Sequence, residues 1–452
     1  MRHAMLLRAA LALGLLAGVL RAQPFDYPSA KPSTTWANTD ASLTHHLVYS
    51  DGSVARAALL RLNPAGFGPS FAFGFFCTNH RGGSTGPCAD FLLGVAVVYS
   101  NSGGLVTSLT AGIPQVVWSA NRGSPVGEGA TAQFTAAGDL VLKATNGAVV
   151  WSAGTAGRSV AGISINSDGN LVLVDGNNRP VWQSFDHPTD TLLVGQTLKQ
   201  NARLVANSSA ANWTESRIYL TVADDSLSAY VAAKPSQRYY HVGFAKTSGA
   251  FASYTNGSLA VLARPGGEQL ATFQLPAVGA GTVQYMRLEH DGHLRLYEWN
   301  PAGWAPVFDV LRLFPDDCAF PTVCSAYGVC TDVMHCSCPD AANFRPVDFR
   351  RPNRGCVPVT TTPAISCAAH RLVSLQNMAY FNDHATSMRT LDRVTEDACK
   401  KACLDDCACM AAQFVYGADA RDGSCYLQSE VFSLQTSQPE LVHCNSTMHL
   451  KV

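Results

Sequence analysis

Charge is scarce in this chain. Asp, Glu, Lys and Arg make up only 14% of its 452 residues, and 33 acids against 32 bases leave a net charge of -1. About a quarter is usual in soluble domains. So balanced a chain has no overall electrostatic footprint for nucleic acid or acidic membranes. After the first two dozen residues no apolar run is long enough to span a bilayer. There is no Gly-rich kinase loop and no HRD sequence. Nor is there an HExxH, a P-loop or a paired CxxC spacing for zinc. Cysteine is absent between Cys88 and Cys318. A large central region must therefore fold on its apolar core alone, while the C-terminal end depends on crosslinks.

What is present points outside the cytosol. Arg2, His3 and Arg8 precede an apolar run from Ala9 to Leu20, then Ala22 and Gln23, which reads as a signal peptide over residues 1–22. The alternative is a buried N-terminal helix. The polar end NSTMHLKV carries no lipid-anchor signal. Asn-x-Ser/Thr acceptors stand at Asn207, Asn212, Asn256 and Asn445. The chain has 15 cysteines, and disulfides persist only in an oxidising compartment. A hydrophobic content of 47% excludes disorder, and the length suggests two to four domains.

The first half contains a repeat. VVWSANR from Val116, VVWSAGT from Val149 and PVWQSFD from Pro180 place tryptophans at Trp118, Trp151 and Trp182. GDLVLK and GNLVLV precede the second and third, with Asn146-Gly147 and Asp175-Gly176-Asn177 between them and the Trp strands. That is hairpin chemistry. One such hairpin cannot bury its face. Three around an axis can, with a tryptophan from each in the middle. Residues 40–195 read as an all-β barrel or prism. Residues 196–312 read as short strands too, and HDGHLRLYEW mirrors SDGNLVLV. This suggests a second, diverged copy of the fold, the alternative being an unrelated β sandwich.

The stretch DGNLVLVDGNNRPVWQSFDHPTDTLLVGQTL resembles the bulb-type lectin domain of plants, and most of all the ectodomains of S-locus glycoproteins and S-domain receptor-like kinases. The resemblance continues through DDCAFPTVCSAYGVCTDVMHCSCPD, as in an EGF-like module, and CKKACLDDCACMAAQF, as in a PAN/apple-like module. It implies a mostly β chain: tandem lectin-type domains, then an EGF-like module at 313–357 and a PAN/apple-like module, helix on antiparallel sheet, at 363–452. It also resembles a kinase-less, secreted, PAN-containing member of that family.

Cys77 and Cys88 flank a Gly-rich loop and are expected to pair. The formal G-x-S-x-G at Gly82 to Gly86 lacks the strand-to-helix context of a hydrolase elbow. The EGF resemblance implies Cys318–Cys330, Cys324–Cys336 and Cys338–Cys356. The PAN resemblance implies Cys399–Cys425 and Cys403–Cys409, leaving one of Cys367, Cys407 and Cys444 unpaired, as an inert thiol or a link between chains. Spacing by fours puts Cys399, Cys403 and Cys407 on one face of a short helix. Zinc is the rival reading of the cysteine cluster, and Asp316 and Asp317 are a thin basis for calcium. No cofactor or metal is expected.

In the lectin family a Gln-x-Asp-x-Asn-x-Val-x-Tyr strand binds mannose. The nearest match is Asn166, Asp168, Asn170 and Val172, with Val174 in the tyrosine position. Asn166 is one methylene shorter than Gln, and Val174 cannot hydrogen-bond. The same offsets elsewhere give Thr135, Ala137, Asp139, Val141, Lys143 and Glu289, Asp291, His293, Arg295, Tyr297. Asp168-Gly169-Asn170 also reads as turn chemistry kept for folding. The expected function is a secreted, non-catalytic recognition glycoprotein of the apoplast or cell wall with glycan or protein partners, mannose binding being weak or lost. The alternatives are a working mannose lectin and a decoy or co-receptor for an S-domain receptor-like kinase. Dimerisation through the PAN-like module is a further expectation, and no partner is a nucleic acid.

Overall fold

The computed structural model describes residues 26–40, 45–78, 88–101, 104–106, 113–300, 303–312, 317–331, 334–359, 370–381, 390–436 and 445–452. The signal-peptide segment, the Gly82 to Gly86 stretch, Asp316, Cys367 and Cys444 lie outside the described residues.

The described part is mostly β. In the first unit, His45–Val48, Val54–Arg61, Phe67–Cys77, Leu92–Asn101, Gly104–Leu105 and Gln115–Ser119 form one six-stranded antiparallel sheet. Thr34–Ala37, Thr131–Phe134, Leu140–Lys143 and Val149–Ser152 form a second. Ser29–Ala30, Val160–Ile165, Leu171–Asp175 and Pro180–Gln183 form a third. Two strands upstream of residue 40 thus complete the second and third sheets. They lie in SAKPSTTWA, which has too little apolar alternation to announce itself, and they occupy sheet edges, where such sequence is tolerated.

The three sheets close round the repeat tryptophans. Trp118, Trp151 and Trp182 meet edge to face, with ring centroids 5.6–5.9 Å apart and planes at 68–72°. Their ring edges and faces are electrostatically complementary in this arrangement. Phe73, Phe75, Leu142, Leu173 and Ile165 fill the rest of this core.

The second unit is also a three-sheet prism, here with four strands in each sheet, which excludes the unrelated sandwich. The sheets are built on Gln284–Leu288 with Leu294–Asn300, on Phe251–Thr255 with Ser258–Leu262, and on Asn212–Val222 with Ser226–Val231. No tryptophan triangle forms here among the described residues. Leucine, valine and Tyr254 fill the interior instead.

The C-terminal part is small and disulfide-rich. The structure joins Cys318–Cys330, Cys324–Cys336, Cys338–Cys356, Cys399–Cys425 and Cys403–Cys409, and in the first prism Cys77–Cys88. Helix α1, Glu396–Asp405, lies against a five-stranded sheet that includes Ala411–Tyr416, Gly423–Gln428 and Asn445–Lys451. Thr395 caps it, accepting from the Ala398 amide at 3.3 Å.

Cys407 is not on this helix. Asp406 leaves helical geometry and caps a turn, accepting from the Ala408 amide at 2.9 Å. Cys407 is itself disulfide-bonded, so it is not the odd thiol. The EGF-like and PAN-like modules also share a sheet. Val329–Thr331 pairs in parallel with Leu434–Thr436, which pairs with Met378–Tyr380. Among the described residues no helix is long and apolar enough to cross a membrane.

Candidate functional site

The sugar motif begins in a turn. The Asn166 amide donates to the Asn170 carbonyl at 2.9 Å, and the Gly169 amide to the Asn166 carbonyl at 3.1 Å. Gly169 holds a φ of +86°, and a Cβ there would lie 2.6 Å from Phe71 Cε1, so only glycine fits. The strand starts at Leu171. Asn166 and Asp168 therefore do not share a strand face with Val172. They stand exposed on the turn, while Asn170 and Val172 are buried.

Asn170, 6% exposed, is committed inside its own hairpin. Its Nδ2 donates to Gln183 Oε1 at 3.0 Å, and its Oδ1 accepts from the Phe185 amide and Ser184 Oγ, each at 3.3 Å. Asp168 Oδ1 accepts from the Asn170 amide at 3.1 Å. Asn166, Ser167 and Asp168 face a shallow cleft of about 530 Å³ with Asp26, Arg61 and Asn63. The turn residue Asp168 also borders a second cleft of about 330 Å³ with Leu193 and Asn256.

The same device recurs twice. Asp139, in the second repeat, accepts from Ser152 Oγ at 2.6 Å and from the Thr155 amide at 3.0 Å. His293, in the second prism, contacts Asp309 Oδ2 through Nδ1 at 2.5 Å and stacks on Phe320. Each turn is closed by the same pair of backbone bonds, Thr135 with Asp139, Glu289 with His293. The residue in this position clasps its hairpin to the segment that follows.

The residues after the third tryptophan build the seam between the prisms. Trp182 stacks on His187, whose carbonyl accepts from Trp118 Nε1 at 2.9 Å. Partial burial opposes ionisation of Asp186, but hydrogen bonds from Lys199 and Gln183 outweigh it and hold its pKa below the usual carboxylate range.

Asp190, 3% exposed, accepts from Thr191 Oγ1 at 3.0 Å and Asn207 Nδ2 at 3.0 Å, and pairs with Arg287 at 3.4 Å. Arg122, the last residue of VVWSANR, reaches across from the first prism. It donates to Asn207 Oδ1 at 2.7 Å, the Val205 carbonyl at 2.9 Å and the Trp213 carbonyl at 3.1 Å. Arg287 returns the contact by donating to the Val116 carbonyl at 2.5 Å. VVWSAGT has glycine and threonine where VVWSANR has Asn121 and Arg122. That difference marks the repeat that docks the second prism, a signal readable only once the neighbour is known.

A prism of three antiparallel sheets around one tryptophan per repeat, with this hairpin clasp, is the architecture of the bulb-type lectin class. The family model described as D-mannose binding lectin matches residues 115–214. EP1-like glycoprotein 1 of Arabidopsis thaliana is 31% identical, over 69% of this chain and 75% of its own length. The chain belongs to the EP1-like glycoprotein family. The epidermis-specific secreted glycoprotein EP1 of Daucus carota is 29% identical over 52% of this chain and 70% of that protein. A G-type lectin S-receptor-like serine/threonine-protein kinase of Arabidopsis thaliana is 26% identical over 72% of this chain but only 38% of the kinase. Among solved structures, the two-domain, fetuin-binding lectin of Scilla campanulata matches 50% of this chain and 96% of its own at 18% identity, with a TM-score of 0.20.

Proposed function

We propose that this protein is a secreted, non-catalytic recognition glycoprotein of the apoplast or cell wall, in which the third-repeat mannose site has been given over to holding its hairpin. The commitment of both ends of the Asn170 amide to Gln183, Ser184 and Phe185 carries this reading. A sugar hydroxyl would have to displace a buried bond, at a cost of about 1–3 kcal/mol, from a site whose millimolar affinity is worth only about 4 kcal/mol. Secretion is supported by the signal-like leader and by the carrot relative's description as secreted.

Titration with mannose is therefore expected to give no saturation below tens of millimolar, and Asn170→Ala is expected to lower stability by about 1–3 kcal/mol. Saturable binding near 1 mM that Asn170→Ala abolishes would refute the reading. A second reading, a decoy or co-receptor for a receptor kinase, is favoured by the alignment with the kinase over most of this chain and under half of the kinase.

Glycosylation should be selective. The amide of Asn207 is held at both ends, by Arg122 and Asp190, in the seam. The Asn212 side chain is exposed and turns only its oxygen inward, to Thr214. Glycopeptide mass spectrometry is expected to find Asn212 occupied and Asn207 bare, with Asn256 and Asn445 as further acceptors. Full occupancy at Asn207 would contradict the seam as described.

A further inference from the structure

The ten residues Arg345 to Arg354, RPVDFRRPNR, hold four arginines against one aspartate, a net +3 in a chain whose total is -1. They cap the EGF-like module. Arg345, Arg350, Arg351 and Arg354 are all exposed, and among the described residues none of their guanidinium groups has a partner. Six arginines elsewhere in the chain are engaged: Arg56, Arg61, Arg217 and Arg295 in ion pairs, Arg122 and Arg287 in the seam. In the same segment Phe349 is 90% exposed and Val347 52% exposed.

The loop is built to hold its shape. Cys338–Cys356 ties its base, and Phe344–Pro346 pairs with Cys356–Pro358. The Arg351 amide donates to the Asp348 carbonyl at 3.0 Å, the Arg350 amide to Asp348 Oδ1 at 2.9 Å, and the Val347 amide to the Gly355 carbonyl at 3.0 Å. Ser325 Oγ binds the Asn353 carbonyl at 2.8 Å. Gly355 has a φ of +85°, and a Cβ there would lie 2.5 Å from the Ala326 carbonyl oxygen. Such a loop loses little conformational freedom on binding.

We infer that this Arg–Phe knuckle is a binding site for a carboxylated polysaccharide, a polyuronate. All the cations are arginine, and the loop has no lysine. The guanidinium fork matches a carboxylate with two parallel hydrogen bonds, which an ammonium cannot do. A repeating polymer with one carboxylate per sugar meets several forks at once. Phe349 and Val347 offer apolar surface for the C–H faces of the rings. An anionic bilayer is the competing partner. Anionic lipid belongs to the cytoplasmic leaflet, so a secreted chain does not meet it. That choice between partners rests on the secreted reading; the binding surface does not.

The test uses the full-length glycoprotein with polygalacturonate, neutral mannan and vesicles containing phosphatidylserine. Polygalacturonate is expected to bind at low salt and to be released as the Debye length shrinks toward ~3 Å near 1 M salt. Mannan and vesicles are expected not to bind. The triple variant Arg350→Gln, Arg351→Gln, Arg354→Gln is expected to weaken binding about tenfold or more. Phe349→Ala alone is expected to weaken it severalfold at unchanged salt dependence. All four positions are exposed, and an unchanged melting curve verifies that the variants fold. No polygalacturonate binding by the native protein, equal binding by the triple variant, or tighter binding to vesicles each overturns the proposal. None of these outcomes bears on the Asn170 clasp, which the mannose titration tests separately.

Discussion

Asp190→Ala is expected to cost about 3–5 kcal/mol, the range for leaving a buried charge without its partner. Asp190, Arg122 and Arg287 are 3%, 7% and 9% exposed. Taking away the carboxylate strands the Arg287 guanidinium next to Tyr285, 4.8 Å from the ring centre, with only Thr191 Oγ1 and the Val116 carbonyl to receive it. It also frees the Nδ2 end of Asn207, the group that positions Arg122. Burial already lowers the pKa of Arg122 below its ordinary value against the pull of Asp190 and Glu215, so the loss of Asp190 removes an opposing stabilisation.

Asp190→Asn is expected to fall between native protein and Asp190→Ala, since an amide keeps part of the hydrogen-bond geometry but not the charge. Asp405→Ala, which breaks only the exposed helix pair with Lys401, is expected to cost under about 1 kcal/mol. Urea unfolding checks the order of the three. Because the network lies between the prisms, the Asp190→Ala transition should also divide into two steps, as multidomain unfolding does when docking is lost. A cost under about 1 kcal/mol with a single unchanged transition would mean that the apolar contacts of the seam suffice.

The extent to which the fold was legible follows from what repeats and what does not. Three Trp hairpins at near-equal spacing announce a threefold unit, and the triangle of Trp118, Trp151 and Trp182 realises it. The strand at Ser29–Ala30 was invisible because two residues make no pattern. The end of α1 was misread because spacing by fours continues through Cys407, whereas the Asx turn at Asp406 has no periodic signature.

The candidate site was legible as a motif and not as a geometry. Alternation along a strand would place Asn166, Asp168, Asn170 and Val172 on one face, but only from Leu171 on is there a strand. The partners that occupy Asn170 lie 13 to 15 residues further on, in WQSF. Net charge hid the arginine knuckle for a similar reason. A whole-chain sum of -1 says nothing of a +3 cluster spread over ten residues.

The tryptophan triangle gives the second large effect. Trp118→Ala and Trp182→Ala are each expected to cost about 3–5 kcal/mol, the range for emptying a large aromatic from a packed core. Trp118 and Trp182 are 6% and 8% exposed, and neither site can collapse easily, since each ring is held by the other two. Trp118→Ala also strands the His187 carbonyl that its Nε1 satisfies. Trp182→Ala removes the surface on which the His187 ring stacks. Both changes therefore reach the seam as well as the first prism. Trp151 is less buried and has no such link, so Trp151→Ala is expected to cost less than either.

The decisive measurement is the double variant. If the three rings act as one unit, the first deletion already forfeits the edge-to-face contacts of the second. Trp118→Ala with Trp182→Ala should then cost less than the sum of the single changes by about 0.5–3 kcal/mol. Strict additivity would mean that each ring packs independently against its own sheet, and that the threefold repeat is kept for the hairpins rather than for the axis.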